Sequence, residues 1–388
     1  MNLADYNNCS GCAACASICP KRAIEMRADD EGFLQPIVSS GICISCGKCE
    51  RVCPVLNQAD ARYPLQCFAV KSMDLRERKA SSSGGVFSLL ARHVLKSGGV
   101  VFGAAWSKDC SMVTHIGIDK IQDLPRLRES KYVQSDIGDA YIKCREFLNK
   151  GRPVLFSGCP CQIAGLLAFL GRDYDNLVTL EVICNSVPSP RALAAWTDAE
   201  KKKVPNEDLL SIHFRDKSVG WHNTTLKYQF TTTTTTNLQL STYYKLWQRG
   251  FTVRRSCIDC RFRDFRSGAD LTIGDFWGIE NVFPEMDDNR GVSAVMVNTA
   301  KGRDWWTAIK ENTENREASY SDVARSNPCL NESFEMLKSA GERRCSFWAL
   351  INNGGDMQLI GAKMTRDPVT KRIRYAVGRV LRGMGLRK

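Results

Sequence analysis

The sequence predicts an α+β multi-domain protein, in which a small cysteine-rich domain precedes an α/β layered domain with a β-rich C-terminal part. Three observations predict this arrangement. Cysteines are dense and regularly spaced in residues 1–57, strand and helix patterns alternate over residues 65–204, and strand-forming residues become more frequent over residues 205–362. The chain has 388 residues, 43% of them apolar, and can therefore bury a large core.

The N-terminal segment repeats the pattern C-x2-C-x2-C-x3-C-P, first from Cys9 to Pro20 and again from Cys43 to Pro54. In two-cluster ferredoxins, three cysteines of one repeat and the last cysteine of the other hold each cubane cluster. The repeat therefore predicts a ferredoxin-type domain with two 4Fe-4S clusters, whereas two zinc sites or a disulfide knot are the alternatives. The predicted ligand sets are Cys9, Cys12, Cys15 and Cys53, and Cys43, Cys46, Cys49 and Cys19.

The larger region alternates strands and helices, as α/β layers do. Strands are predicted at 68–70, 100–106, 113–118, 154–156 and 177–183, and helices at 86–96, 137–148 and 162–170, with Asp136 as the cap of the second helix. The threonine run 231–236 suits a strand or hairpin. Residues 269–279 suit a strand that runs into a glycine turn.

The formal net charge is +12, and residues 363–388 hold nine Lys or Arg against the single Asp367. This tail has an apolar stripe opposite its arginines, which suits an anionic membrane surface, an acidic partner or packing on its own domain. The remaining charge is modest, so we expect no nucleic-acid partner. Because the first residues lack the pattern of a secretory signal, we expect a cytoplasmic protein with reduced or metal-bound cysteines.

Four further cysteines stand where predicted elements end: Cys161, Cys184, Cys257 and Cys260. Spacing alone leaves a third cubane cluster, a zinc site or a thiol–disulfide pair open. Cys159 lies two residues before Cys161, and its role is open. The remaining cysteines show no ligand spacing, and we expect them to be packed thiols. They are Cys67, Cys110, Cys144, Cys329 and Cys345.

Clusters carry single electrons, so we expect them to deliver electrons to an organic cofactor in the larger domain, for which a flavin is best suited. The dinucleotide fingerprint G-x-G-x-x-G is absent. The small residues Ser81–Gly85 precede a predicted helix, where backbone N–H groups and the helix dipole favour a phosphate. An ordinary helix cap is the alternative at this position.

Several segments together resemble the beta subunit of coenzyme F420 hydrogenase and dehydrogenase, in a bacterial form with a fused ferredoxin domain. The segments are SSSGGVFSLLARHVLKSGGVVFGAAW (81–106), ESKYVQSDIGDAY (129–141), VLFSGCPCQIAGL (154–166), ICNSVPSP (183–190), CIDCRFRDFRSGADLTIGDFWGI (257–279) and NRGVSAVMVNT (289–299). The chain departs from the family at Cys159, where a small residue is usual. It also departs at Asn185 and Ser186, where the family has His-Gly.

The resemblance implies FAD on the α/β domain and a third 4Fe-4S cluster held by Cys161, Cys184, Cys257 and Cys260. The implied flavin contacts are Ser82, Ser83, Gly84, Gly85, Phe87, Lys131, Tyr132, Gln134, Gly274, Asp275 and Trp277. His222, in a polar loop, is a candidate proton donor near the flavin, although a solvated histidine is the commoner outcome.

We therefore expect an iron–sulfur flavoprotein oxidoreductase. Electrons would pass from a reduced carrier such as ferredoxin, through the clusters to FAD, and on to a two-electron acceptor. Alternatives are an electron-transfer subunit that feeds a partner oxidoreductase subunit, or a dehydrogenase subunit that uses coenzyme F420 as hydride donor. By resemblance to bacterial relatives, a link to polysaccharide biosynthesis is also open.

Overall fold

The computed structural model describes residues 3–223, 225–237, 241–331, 338 and 340–366. Residues 367–388 of the predicted basic tail lie outside the described residues, and so does the apolar stripe expected there. Within the described ranges, no helix combines the length and the apolar character that crossing a membrane requires.

The N-terminal domain carries its repeat in the backbone as well as in the sequence. Strands β1 (Ile24–Ala28) and β2 (Leu34–Val38) pair in antiparallel fashion, and helices α1 (Ala14–Ile18) and α2 (Lys48–Arg51) pack together. Each helix follows a left-handed residue, Ala13 (φ 61°) or Gly47 (φ 70°), which directly follows the second cysteine of its repeat. The two halves of the domain therefore turn in the same way.

The described remainder of the chain adds eleven strands and twelve α-helices. The strands are β3 (Gln66–Ser72), β4 (Val100–Trp106), β5 (Val113–Ile118), β6 (Val154–Gly158), β7 (Leu177–Val182), β8 (Leu209–Asp216), β9 (Thr225–Phe230), β10 (Thr234–Asn237), β11 (Leu271–Asp275), β12 (Ser293–Val297) and β13 (Thr313–Ala318). The helices are α3 (Leu75–Lys79), α4 (Val86–Lys96), α5 (Ala140–Asn149), α6 (Pro160–Leu170), α7 (Pro190–Lys201), α8 (Thr242–Gln248), α9 (Ile279–Val282), α10 (Ala300–Lys310), α11 (Tyr320–Arg325), α12 (Pro328–Asn331), α13 (Arg343–Asn352) and α14 (Met357–Met364).

One mixed sheet organises the larger domain, with the strand order β13-β3-β12-β11-β7-β6-β4-β5. Its middle strands β4, β6, β7 and β11 are parallel neighbours, and helices α4, α5, α6 and α10 cover its faces. Leu155, Val178 and Leu180 are fully buried, as expected for strands covered on both faces. Because parallel strands end at one edge, the residues that follow β6, β7 and β11 meet there.

A second, three-stranded sheet with the order β10-β9-β8 packs with α7, α8 and α13 around an aromatic core that contains Trp196, Tyr243 and Phe347. The threonine run 231–236 turns from β9 into β10, which confirms the predicted hairpin. The predicted division at residues 204/205 falls within one structure, since β11, β12 and β13 complete the large sheet begun by β3–β7.

The five strands predicted before residue 204 are confirmed as β3–β7, and the helices predicted at 86–96 and 162–170 are confirmed as α4 and α6. The predicted start of α5 at Asp136 is wrong: the helix begins at Ala140 behind Asp139. Asp136 instead accepts a hydrogen bond from the Gly138 N–H at 2.9 Å, and its backbone bridges to Thr114. A turn thus occupies the first residues of the predicted helix.

Arg254 joins the two domains. It is 2% exposed, and its guanidinium donates to the Cys9 carbonyl (2.8 Å), the Gln134 Oε1 (2.9 Å) and the Leu34 carbonyl (3.0 Å). Cys9 and Leu34 belong to the N-terminal domain, whereas Gln134 belongs to the larger one. One buried cation therefore fixes the cysteine repeat, β2 and the larger domain relative to one another.

Glu31 is a second buried link. Its carboxylate accepts hydrogen bonds from Arg344 and, at 3.3 Å, from Arg255, and its backbone carbonyl accepts one from Ser189 Oγ. Burial raises the pKa of Glu31, and the two arginines oppose that shift. The loop between β1 and β2 is thus held by residues from three distant parts of the chain.

We expect Arg254→Ala to destabilise the docked N-terminal domain by about 3 kcal/mol, because one buried and two partly buried acceptors lose a charged donor. The measurement is the midpoint of thermal unfolding, together with the rate of protease cleavage in residues 58–65. The matched control is Arg27→Ala, since Arg27 is an exposed arginine of the same domain that pairs only with the exposed Glu25. Equal midpoints for the two variants would contradict this role of Arg254.

Candidate functional site

The first predicted cysteine set lies together beneath the larger domain. Burial raises the pKa of the Cys12 thiol to about 12, and the neighbouring Cys9 and Cys53 thiols raise it further. The pKa of Cys15 is raised by burial and then by the thiols of Cys12, Cys9 and Cys53. The structure therefore brings the last cysteine of the second repeat to the first three cysteines of the first repeat.

The second predicted set surrounds a small cavity near the surface. Its lining contains Cys19, Cys43, Cys46 and Cys49, with Ile44, Lys21 and Lys48 beside them. Each set has one buried cysteine, Cys12 or Cys49, but an exposed cysteine, Cys46, is found only in the second set. The two sets therefore differ in access to solvent, the first lying inward and the second outward.

A third group of cysteines lines a cavity of about 320 Å³ at the edge where the parallel strands end. Cys161 follows β6, Cys184 follows β7, and the loop after residue 254 supplies the other two. The four cysteines are Cys161, Cys184, Cys257 and Cys260. The fold thus gathers residues separated by up to 99 positions, the number between Cys161 and Cys260, around one space.

Cys159 caps helix α6, and this explains the local chain path. The Cys159 N–H donates to the Gln162 side-chain Oε1 at 2.9 Å, and the Gln162 N–H donates to the Cys159 carbonyl at 2.8 Å. Pro160 occupies the first turn, where a missing N–H costs nothing. Cys161 consequently sits in the first turn of α6.

The structure also brings Cys159 to the third group, a contact that the sequence did not reveal. The Cys159 and Cys184 thiols lie within hydrogen-bonding reach, and this contact lowers the pKa of Cys159 while burial opposes the shift. Burial raises the pKa of Cys161, and the thiol of Cys159 raises it further. A fifth thiol therefore borders the predicted set of four.

The sulfur spacing suits clusters better than single metal ions. Four thiolates about 2.3 Å from one tetrahedral zinc ion lie about 3.8 Å apart. Across the described ranges, no three cysteine Sγ atoms all lie within 4.8 Å of one another, and the cysteines are free thiols. A cubane core is bulkier than one ion and holds its thiolates further apart, so the wider spacing is compatible with 4Fe-4S clusters.

Helix α6 connects the first and third cysteine groups. Gly165 lies four residues after Cys161, on the same face of the helix and one turn away, about 6 Å along the axis. A Cβ atom on Gly165 would lie 2.9 Å from the Cys12 Cβ, 3.0 Å from the Cys12 Sγ and 2.9 Å from the Tyr141 hydroxyl. Only glycine allows this approach, so the two groups are separated by one turn of helix.

Glu181 borders the third cavity as a buried carboxyl group that the sequence analysis did not identify. It is 3% exposed, and Thr272 Oγ1 donates to it at 2.7 Å, as does Ser267 Oγ. Burial raises the pKa of Glu181 to about 7, although both hydroxyl groups act to lower it.

The predicted flavin segments lie side by side. Ser82 Oγ accepts hydrogen bonds from the Ser130 N–H (3.0 Å) and Ser130 Oγ (3.3 Å), so the loop before α4 meets the segment that contains Lys131. Helix α4 begins behind Gly85 (φ 96°) and has no side-chain hydrogen bond at its cap, so the alternative of an ordinary helix cap takes the form of a glycine cap here. The first N–H groups of α4 therefore have no side-chain acceptor at the cap.

Three predicted flavin contacts, Lys131, Phe87 and Tyr132, also make contacts that stabilise the fold. Lys131 Nζ donates to the Arg128 carbonyl and, at 3.3 Å, to the Glu129 carbonyl, and burial lowers its pKa to about 8. Phe87 packs on the core beneath α4, and the Tyr132 ring lies 4.6 Å from that of Trp247.

Gln134 and Gly274, two other predicted contacts, support neighbouring structure. Gln134 Nε2 donates to the Ser10 carbonyl at 3.3 Å and its Oε1 accepts from Arg254, so both of its polar atoms serve the domain interface. A Cβ on Gly274 would lie 2.6 Å from Ile183, directly before Cys184. Gly274 thus lets the Cys184 loop approach β11.

Asp275 and Trp277 organise a polar and aromatic cluster that the sequence did not reveal. Asp275 accepts from Arg215 Nη1 (2.6 Å) and Trp221 Nε1 (2.9 Å), while the Trp277 ring stacks on Trp221 at 4.9 Å. The Arg215 guanidinium lies 5.2 Å from the Trp277 ring, and its buried Nη2 has no partner among the described residues. The sequence feature that could have pointed to this cluster is the pair of charged residues at the end of the segment IHFRD (212–216).

Lys217 completes this cluster from the same strand region. Its Nζ donates to the carbonyls of Arg78 (2.6 Å), Arg290 (2.9 Å) and Ser83 (3.1 Å), which places a cation against the loop before α4. Burial lowers its pKa to about 8, and the nearby Arg78 lowers it further.

His222, the candidate proton donor, lies outside the third cavity. Its Nε2 is 2.9 Å from Asp287 Oδ2, and its ring lies 4.9 Å from that of Trp221.

Of the cysteines expected to be packed thiols, Cys67, Cys110 and Cys144 are buried. The expectation is wrong for Cys345, which is exposed. Cys329 is partly buried and packs against the core cluster of Tyr244, Trp247 and Val253, and it also lines the third cavity with its Sγ 3.8 Å from Asn185 Oδ1.

Known relatives match two regions of the chain. Residues 8–57 match a 4Fe-4S dicluster domain, and residues 151–322 match the C terminus of the coenzyme F420 hydrogenase/dehydrogenase beta subunit. One subunit of the F420H2 dehydrogenase of Methanosarcina mazei is 26% identical over 173 residues, 40% of this chain and 47% of the relative. Coenzyme F420-dependent sulfite reductase of Methanocaldococcus jannaschii is 25% identical over 188 residues, 48% of this chain and 29% of that relative.

A chain of the F420-reducing [NiFe] hydrogenase complex from Methanosarcina barkeri superposes with a TM-score of 0.49 at 15% identity, over 74% of this chain and 94% of that one. This chain spans less than half the length of the two curated relatives named above. Residues 151–322 thus resemble the C-terminal region of coenzyme F420 hydrogenase/dehydrogenase beta subunits, and residues 8–57 resemble a 4Fe-4S dicluster domain.

Proposed function

We propose that this chain is an iron–sulfur flavoprotein oxidoreductase that passes electrons from a reduced carrier, such as ferredoxin, to FAD and on to a two-electron acceptor. The observation that carries the proposal is the row of three cysteine groups, in which Cys12 of the first meets Gly165, one helical turn from Cys161 of the third. Such closeness is what transfer between separate one-electron centres requires.

The chain's own residues supply the thiolates and fix their spacing. Cys9, Cys12, Cys15 and Cys53 would hold one cluster, Cys19, Cys43, Cys46 and Cys49 a second, and Cys161, Cys184, Cys257 and Cys260 a third. The chemistry that 4Fe-4S clusters supply is one-electron transfer. Arg254 keeps the first group against the larger domain, and the parallel strand ends keep the third group together.

The FAD assignment is supported by polar groups around the loop before α4. The uncapped start of α4 offers N–H groups to a phosphate, and Lys217 brings a cation to the same loop. The buried Arg215 Nη2 has no acceptor among the described residues and lies beside Trp277. An anionic, ring-containing ligand would satisfy both features, and a flavin nucleotide is one.

A second candidate is an electron-transfer subunit that serves a partner oxidoreductase, or a subunit that reacts with coenzyme F420. The names of the relatives favour this candidate, since the M. mazei protein belongs to an F420H2 dehydrogenase and the M. jannaschii protein is a coenzyme F420-dependent sulfite reductase. The two forms of this candidate differ in what reoxidises the reduced protein. Reoxidation by oxidised F420 alone favours a subunit that reacts with coenzyme F420, whereas reoxidation only after a partner protein is added favours an electron-transfer subunit.

The proposal predicts the composition of the anaerobically reconstituted protein. We expect about twelve iron and twelve sulfide ions per chain, because three groups each hold a four-iron core, and one bound FAD. Iron, acid-labile sulfide and extracted flavin are the quantities to measure. About eight iron ions per chain would contradict a cluster at the third cysteine group, and absence of flavin would contradict the FAD assignment.

Substitution of the neighbouring cysteines tests the third ligand set. Cys161→Ala should lose about four iron ions per chain, whereas Cys159→Ala should retain all three clusters, since four ligands remain. Iron content and the cluster signals in electron paramagnetic resonance spectra are the measurements. The same iron loss in both variants would show that Cys159 also binds the cluster.

Gly165→Ala tests the contact between the first and third groups. The added methyl group gains up to about 1 kcal/mol of helix propensity. It meets Cys12 and Tyr141 at 2.9–3.0 Å, however, and such overpacking costs about 1–3 kcal/mol. We expect a net loss of stability and slower electron transfer from the N-terminal clusters to the third, measured by rapid-freeze spectroscopy.

The control for this variant is Gly41→Ala in the N-terminal domain, where nothing lies within 4 Å of an added Cβ. That variant should keep both the stability and the transfer rate of the wild type. A Gly165→Ala protein with wild-type transfer rates would mean that electrons do not cross at this helix.

A further inference from the structure

The second cysteine group faces solvent at one surface of the N-terminal domain, which we call the distal face. The distal face consists of Lys21, Ile42, Ile44, Cys46 and Lys48, all exposed. Ile42 is 53% exposed and Ile44 57% exposed, on either side of Cys43. The first group, by contrast, is covered by α6 at Gly165. The second group therefore contains the exposed cysteine, Cys46, and offers an electron donor the more direct approach.

The shape of the distal face is fixed by the domain's own backbone. The Ser39 N–H donates to the Ala23 carbonyl at 2.8 Å, which holds the loop that contains Ile42 and Ile44 beside Lys21. Lys21, Ile44 and Lys48 line the same cavity as the four cysteines of the second group. The apolar and basic side chains thus surround the cluster-binding cysteines themselves.

The charge at this cavity has one sign. Among the described residues that line it, Lys21 and Lys48 are cationic and no Asp or Glu is present. A small apolar centre with charged residues around it is typical of transient complexes, in which opposite charge speeds encounter and the small contact allows rapid release. The partner that such a surface fits is acidic.

We propose that the distal face docks a small acidic ferredoxin, which delivers electrons one at a time to the cluster of the second cysteine group. This inference rests on the proposed function, and it adds the place of entry and the chemistry of the donor. In each encounter the ferredoxin cluster loses one electron and the second-group cluster gains one, and no bond forms or breaks. Two encounters supply one two-electron acceptor.

The test uses the full reconstituted chain and a reduced acidic plant-type [2Fe-2S] ferredoxin as the probe. Lys21→Glu/Lys48→Glu should lower the second-order rate constant for cluster reduction at least about tenfold at low ionic strength, because attraction becomes repulsion. Added salt should slow the wild type and narrow the difference. Stopped-flow absorbance under anaerobic conditions measures both rate constants.

The matched control is Lys108→Glu/Lys120→Glu, which changes the net charge equally at two exposed lysines next to β4 and β5. That variant should react with ferredoxin at close to the wild-type rate. Equal slowing in the two variants would attribute the effect to net charge and overturn the docking site.

A second reductant separates failure of this inference from failure of the proposed function. Dithionite should reduce the clusters of every variant to the same extent. If it reduces none of them, including the wild type, the proposed function fails. If it reduces all of them and ferredoxin reacts equally fast with wild type and the distal-face variant, only the docking site fails.

A milder variant covers the case in which charge reversal prevents cluster assembly. Lys21→Ala/Lys48→Ala should assemble fully and show a smaller but salt-sensitive decrease in rate. Binding of the wild type and the Lys21→Ala/Lys48→Ala variant to phosphatidylserine vesicles is measured as well. If the wild type binds the vesicles and the variant does not, while both are reduced by ferredoxin at the same rate, the distal face is a lipid-binding surface and the proposal is overturned.

Discussion

The placement of the cysteine groups depends on one buried guanidinium. Arg254 donates to Cys9 and Leu34 in the N-terminal domain and to Gln134 in the larger domain, and it stands three residues before Cys257. A single side chain therefore relates the first cysteine group to the loop that carries half of the third. Its burial is tolerated because all three of its nitrogen atoms have acceptors, so the cost of removing the charge from water is offset locally.

The parallel part of the sheet supplies the second constraint. β6, β7 and β11 end at one edge, where the chain turns into α6, into the loop after Cys184 and towards Trp277. Small residues permit the close approaches at this edge, Gly165 towards Cys12 and Gly274 towards Ile183.

Local patterns predicted the repeat, the strands β3–β7 and the helices α4 and α6, because spacing and periodicity are properties of neighbouring residues. The third group of cysteines needed the family resemblance, since Cys161 and Cys260 come together only through the sheet. The roles of Arg254, Arg215 and Gly165 had no periodic signal and depend on contacts with distant residues.

The two kinds of cysteine site differ in how much of the chain must exist before they form. Both N-terminal groups are complete within 57 residues, so they can form soon after that segment leaves the ribosome. The third group waits for Cys260, and the central strand β11 that closes the sheet emerges later still. If the groups hold clusters as proposed, the first two would therefore be ready for iron during synthesis while the third is still incomplete.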